Sequence, residues 1–148
     1  MKKFILFLLF FVSFNSNAQC EFNLKELTMS IFFNSSSFED FVIKNGFILN
    51  TKNDLYECNY ENSKYDFIRK DFFNNNNSIK MIYVTFSETT YLKIKQQLSS
   101  TNYKFIEEKN DENKKSFVFQ LEKMTLTIAT KTHNNNINSY EFLFVYNK

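Results

Sequence analysis

Among its 148 residues the chain has no tryptophan, no proline, a single glycine, a single histidine and two cysteines. Each scarcity closes off a chemistry. One glycine, Gly46, cannot build the glycine-rich loops that wrap phosphates, so P-loop and dinucleotide fingerprints are excluded. The central glycine of a calcium loop is missing too. Two cysteines and one histidine supply too few ligands for a structural zinc site, so no metal and no cofactor is expected. His133 as a general base would need an orienting partner and a nucleophile, whereas as a residue beside the Asn134-Asn135-Asn136 turn it needs neither. Without proline and almost without glycine, left-handed turn positions fall to Asn and Asp. Asn74-Asn75-Asn76-Asn77 and Asn134-Asn135-Asn136 fill that role.

Long apolar runs are scarce as well, with one exception at the start. Met1-Lys2-Lys3 is a short positive segment, Phe4 to Phe14 is apolar apart from Ser13, and small or polar residues follow up to Ala18. That is the three-part pattern of a secretory signal peptide. The run of about eleven residues falls short of the roughly twenty that span a bilayer, so no stable membrane span is expected after cleavage. A lipoprotein signal also ends at a cysteine, but it places a small residue before it, and Gln19 precedes Cys20. Residues 1–18 are therefore read as a cleaved signal, and 19–148 as a single domain in a periplasmic or secreted location.

Net charge points to no charged partner. The chain carries 18 basic and 16 acidic side chains, and Lys2 and Lys3 leave with the signal, so the mature balance is 16 against 16. Nothing here favours nucleic acid. Cys20 and Cys58 are an even pair in an oxidising compartment, which favours a disulfide. Closing a loop of about 39 residues stabilises by roughly 3–4 kcal/mol in the chain-entropy model. The alternative is two independent thiols, with Cys58 filling core space.

Aromatic content is 19%, all of it Phe and Tyr, which suits half-buried sheet. Asn23 with Glu26 three residues later signals a helix start, and Leu24, Leu27 and Ile31 recur at helical spacing to about Phe33. Ser36-Ser37-Phe38-Glu39 repeats the start signal, and Gly46 falls where a left-handed helix cap belongs. From Phe47 the period is two. Leu55–Tyr60 and Tyr65–Phe72 read as a hairpin, and Ile79–Phe86 as a strand. Ser87 then caps a helix with Tyr91, Ile94 and Leu98 on its apolar face, and Lys95 at the edge of that face.

The order repeats. Tyr103–Glu107 is a strand, Phe117, Phe119 and Leu121 alternate, and Met124, Leu126 and Ile128 alternate again after a tight turn near Glu122-Lys123. Tyr140, Phe142, Phe144 and Tyr146 line one face of a last strand, with Leu143 and Val145 on the other, so it is expected to be central and buried. The fold class expected is α+β: tandem helix-plus-four-strand units, residues 36–86 and 87–148, forming an antiparallel sheet with helices on one face.

Val84-Thr85-Phe86-Ser87 running into Tyr91, Leu98 and Tyr103-Lys104-Phe105 resembles a pattern in small exported proteins of Bacteroidota, as does the Asn17-Ala18-Gln19 end of the signal. That resemblance implies export and no particular chemistry. In architecture alone, tandem helix-plus-four-strand units are similar to secreted β-lactamase inhibitor proteins.

Carboxylates give no catalytic pair that the sequence can place. Glu107-Glu108 and Asp111-Glu112 are interleaved with Lys104, Lys109, Lys114 and Lys115, the mark of a solvated hairpin. Asp66 and Asp71 alternate with aromatics in their strand. Ser35-Ser36-Ser37 sit at a helix start, where serines cap. The one candidate binding cluster is aromatic: Tyr56 and Tyr60 on one face, and Tyr65 and Phe67 on a face with Arg69, the chain's only arginine. Tyr and Arg concentrate at binding hot spots. The plainer reading has tyrosines covering a sheet while Arg69 forms a surface ion pair. The expected function is a non-enzymatic module that binds a protein partner, inhibitor-like or immunity-like. The alternative is a carrier of an apolar small molecule or lipid.

Overall fold

Asn23 and Glu26 form the reciprocal cap that their spacing predicts. The Asn23 side chain accepts from the Glu26 backbone at 2.9 Å, and the Glu26 carboxylate accepts from the Asn23 backbone at 3.0 Å. A computed structural model describes residues 20–59, 64–71 and 77–148. The expected signal, Gln19, residues 60–63 and residues 72–76 lie outside the described residues. Helix α1 is Leu24–Ser30, ending short of the expected Phe33. Helix α2 is Ser35–Lys44, and its cap is Asn34, which accepts from Ser37 N at 2.9 Å. The serines expected to cap it lie inside its first turn. Gly46 at φ 87° ends the helix, with Gly46 N donating to Ile43 O and Phe47 N to Val42 O. Helix α3, Glu88–Leu98, starts at Ser87 as expected.

Eight strands follow the alternating segments: β1 Ile48–Asn50, β2 Leu55–Asn59, β3 Tyr65–Asp71, β4 Ser78–Thr85, β5 Lys104–Asp111, β6 Lys114–Leu121, β7 Met124–Thr132 and β8 Asn138–Asn147. They make one antiparallel sheet in the order β1-β2-β3-β4-β8-β7-β6-β5. The protein is thus mixed α+β and mostly sheet. Two four-strand meanders meet where β4 pairs with β8. Strand β5 runs to Asp111 rather than Glu107, so most of the carboxylates expected in a solvated turn lie on an exposed edge strand. There Glu107 pairs with Lys109 and Glu108 with Lys115.

Tight turns use the residue types that the composition leaves available. Asp54, Asn77 and Asn136 have φ of 52°, 54° and 58°, immediately before β2, before β4 and near the start of β8. Glu122 at φ 51° makes the β6–β7 turn.

Cross-strand partners share a face, and the register sorts the sheet into two. One face carries Ile68, Tyr83 and Phe142 in a row, each fully buried. Against it lie Phe22, Phe38 and Tyr91: Phe22 is edge-on to Tyr83 at 5.2 Å, and Tyr91 is stacked on Tyr140 at 4.4 Å. Lys95 lies over both the Tyr91 and Phe117 rings, so its ammonium crosses the apolar edge by cation–π contact. Cys20 and Cys58 form a disulfide with Cα atoms 5.8 Å apart, which anchors the segment leading to Phe22 onto β2.

The expectation for β8 needs a correction. It is central, and Tyr140, Phe142 and Phe144 are buried, but Leu143 and Val145 on its other face are only half-buried. The named helix contacts all fall on the opposite face.

Candidate functional site

Strand alternation on β3 sends Tyr65, Phe67, Arg69 and Asp71 to the helix-free face and Asp66, Ile68 and Lys70 to the core face. The predicted cluster is therefore divided. Tyr56 pairs with Ile68 and sits on the helix side, half-buried and edge-on to Phe38 at 6.0 Å. Burial, then Glu39 and Asp54, raise its pKa. Tyr60 lies outside the described residues. Tyr65, Phe67 and Arg69 stand together on the other side of the sheet.

The helix-free face is a candidate contact surface. Arg69, Ile82, Leu143, Thr127 and Val118 form one cross-strand row from β3 to β6. Ile82, Leu143, Thr127 and Val118 are half-buried and Arg69 is exposed. Phe67, Leu55 and Arg69 border a shallow depression of about 350 Å³ on this row. Arg69 Nε donates to Asp71 Oδ1 at 3.1 Å, and both groups stay solvated. Further along, Lys114 reaches across β7 to Glu141 above the small side chain of Ala129. The surface thus has an apolar middle and an ion pair on either side of it, the anatomy of a contact patch with a polar rim.

Two buried charges on β3 escaped sequence reasoning, because Asp and Lys are residue types that usually face solvent. Asp66 is 1% exposed and organises the turn from β4 into α3. It accepts from Phe86 N at 2.9 Å and from Thr85 Oγ1, while Thr85 Oγ1 accepts from Ser87 N. Burial raises its pKa, and those hydrogen bonds oppose the rise. The Tyr83 hydroxyl lies 3.4 Å from Asp66 Oδ2 and 3.3 Å from the Cys20 carbonyl. Burial and then the Asp66 charge push Tyr83 well above the usual phenol range.

Lys70 is the opposite case. Its ammonium donates to Ser30 O at 2.9 Å and Phe33 O at 2.6 Å, and lies 5.4 Å from the Phe38 ring centroid. Helix α1 has no basic residue in its last turn, and Lys70 supplies that charge from the sheet. Burial lowers its pKa to about 8. Both charges anchor backbone, one the α1–α2 connection and the other the β4–α3 connection. A hint was available in the period-two pattern, since Ile68 shares their parity.

His133 Nε2 lies 2.9 Å from Ser139 Oγ, and its ring packs near Phe86. Ser139 is 3% exposed, while His133 is half-buried and borders an open surface depression with Asn113, Lys131 and Asn134. Among the described residues no group of three or more His, Cys, Asp or Glu side chains converges, and no helix is long and apolar enough to cross a membrane. Comparisons with protein-family models, with curated proteins and with solved structures found no match.

Proposed function

We propose that this chain is an exported module that binds another protein through its helix-free sheet face, in the manner of an inhibitor or immunity protein. One observation carries the reading: the paired central strands β4 and β8 place Ile82, Val84, Leu143 and Val145 together on the face that the named helix contacts leave open, with Lys80 and Glu141 between them. Apolar residues on the second face of central strands fit a sheet covered on both sides. Ile82, Leu143 and Val145 remain half-buried at its centre, and Arg69 and Phe67 beside them are hot-spot residue types. Export is supported by the signal pattern of residues 1–18 and by the Cys20–Cys58 bridge, which suits an oxidising space.

Duplication is part of the same proposal. Each half runs helix, then four-strand meander, and left-handed Asn77 and Asn136 stand at equivalent points ahead of the main pairings of β4 and β8.

The test is capture of the partner from the native exported fraction, followed by titration with variants. Arg69→Ala is expected to weaken the complex by roughly 1–3 kcal/mol, with little change in melting temperature because exposed ion pairs stabilise little. A large stability loss with unchanged partner affinity sinks the assignment.

A further inference from the structure

On the opposite side of the sheet, a groove of about 570 Å³ runs between α1 and the end of α3, floored by Tyr103 and Leu121. Its volume falls within the usual 300–1,000 Å³ of small-molecule sites. Leu24, Met29, Tyr103 and Leu121 give it apolar walls, and Met29 is 50% exposed although Leu24, Leu27 and Ser30 of the same helix are buried. Nearby Phe32 is also exposed at 57% and meets the Tyr146 ring in a T-shaped contact at 5.0 Å.

Several polar groups around this groove are committed inward. Gln97 Oε1 accepts from Leu24 N at 2.8 Å, Ser100 Oγ donates to Gln97 O, and Thr101 Oγ1 donates to Leu98 O. The Tyr103 hydroxyl lies 3.0 Å from Met124 Sδ. The hydroxyl donors of Ser100, Thr101 and Tyr103 are thus engaged, which leaves the side-chain amides of Asn23 and Gln97 as polar points on a largely apolar wall. Among the described residues lining the groove, Lys25 alone is ionic, and its side chain is exposed at the rim. Apolar contact plus a single cation selects an amphiphile with an anionic head.

We propose that this groove binds a single-chain amphiphile, the tail against Met29, Tyr103 and Leu121 and a carboxylate or phosphate head at Lys25. The site is separate from the proposed protein-binding face and does not depend on it.

Methyl-labelled methionine makes the test direct, because Met29 lines the groove, buried Met124 sits behind it against the Tyr103 hydroxyl, and Met81 is sealed in the core at 1% exposure. The disulfide-bonded protein is titrated with laurate, dodecyl phosphate and dodecyltrimethylammonium, each below micelle formation. Saturable shifts of the Met29 and Met124 methyls with laurate or dodecyl phosphate are expected, and the two anions distinguish a fatty acid from a phosphate head. Lys25→Glu should weaken both anions by about two- to fivefold, the scale of an exposed ion pair, and strengthen the cationic surfactant. Met29→Gln, which keeps an uncharged helix former in the last turn of α1, should weaken all three at least about threefold by setting an amide against the tail. Arg69→Ala should leave laurate binding unchanged. Unmoved Met29 and Met124 methyls overturn the site. Equal binding of laurate and the cationic surfactant overturns the head-group assignment, as does laurate binding undiminished in Lys25→Glu.

Discussion

Replacing Lys70 by methionine tests how the fold tolerates a buried ammonium. Folding takes this group from a usual value of 10.5 to about 8, by desolvation. Between those values the unfolded chain holds a proton that the folded protein has released, so stability rises with pH. The gain is absent below pH 8 and complete only above 10.5. Integrated from pH 7 to pH 9, a shift of this size contributes about 1.4 kcal/mol, a little over one pH unit's worth of linkage. The upper limit of the window is set by the tyrosines. Tyr83, Tyr103 and Tyr140 have raised values, so above about pH 10 the unfolded chain loses phenol protons first and stability falls again. Urea unfolding followed by circular dichroism at pH 7, 8 and 9 should show the native protein gaining stability. Lys70→Met should remove that slope. At pH 7 two effects oppose each other in the variant: the desolvation of the ammonium is relieved, while the Phe33 carbonyl loses its Lys70 donor and the Ser30 carbonyl keeps only Phe33 N, a loss of about 1–3 kcal/mol. A native profile that is flat or falling over this range would refute the reasoning, and so would an undiminished rise in the variant.

Reducing the Cys20–Cys58 bridge should lower stability by roughly 3–4 kcal/mol in the chain-entropy model, read as a shift of the urea midpoint; an unmoved midpoint would mean that the core holds Phe22 without it. Asp66→Asn should cost about 1–3 kcal/mol, because an amide cannot accept from Phe86 N, Thr85 and Tyr83 together. Since burial raises the Asp66 value, its protonation favours the folded state below the unfolded pKa of 3.8, and that contribution is lost as pH climbs through the folded value. The variant should lack this acid-side component, and an unaltered profile in acid unfolding would count against the assignment.

Much of the architecture was legible because its determinants are local. Gly46, the Asn23–Glu26 cap and the Ser87 cap each act within about one helical turn, so their residue types announce them. Asn77 and Asn136 take up the left-handed positions that a chain nearly free of glycine must give to asparagine. Strand β3 was harder. Tyr65, Phe67 and Arg69 share one face in the sequence as in the structure, but nothing local marks Asp66 and Lys70 as buried. The partners that make the buried charges tolerable, Phe86 N and the Ser30 and Phe33 carbonyls, lie far away in sequence. The full length of β5 was hidden for another reason. An edge strand pairs on one side only and carries charge, so no apolar alternation marked residues 108–111. The candidate surface was legible only in half: Phe67 and Arg69 were visible in the sequence, but Ile82, Leu143 and Val118 join them through register, which no single segment encodes.

The β4–β8 seam has a consequence for how the molecule assembles. Strand β8 comes after both of its neighbours in chain order, and its register partners Ser78 and Asn147 are far apart along the chain. Until β8 inserts, the inner edges of β4 and β7 are both unpaired, and each is a template for another chain. The N-terminal meander can form early from local hairpins, but the continuous sheet waits for this late, long-range closure, which is the slow and aggregation-exposed kind. A chain passed across a membrane in extended form would complete its fold only once residues 138–147 had emerged. In such a passage the inner edges of β4 and β7 would stay open to pairing with other chains until that moment.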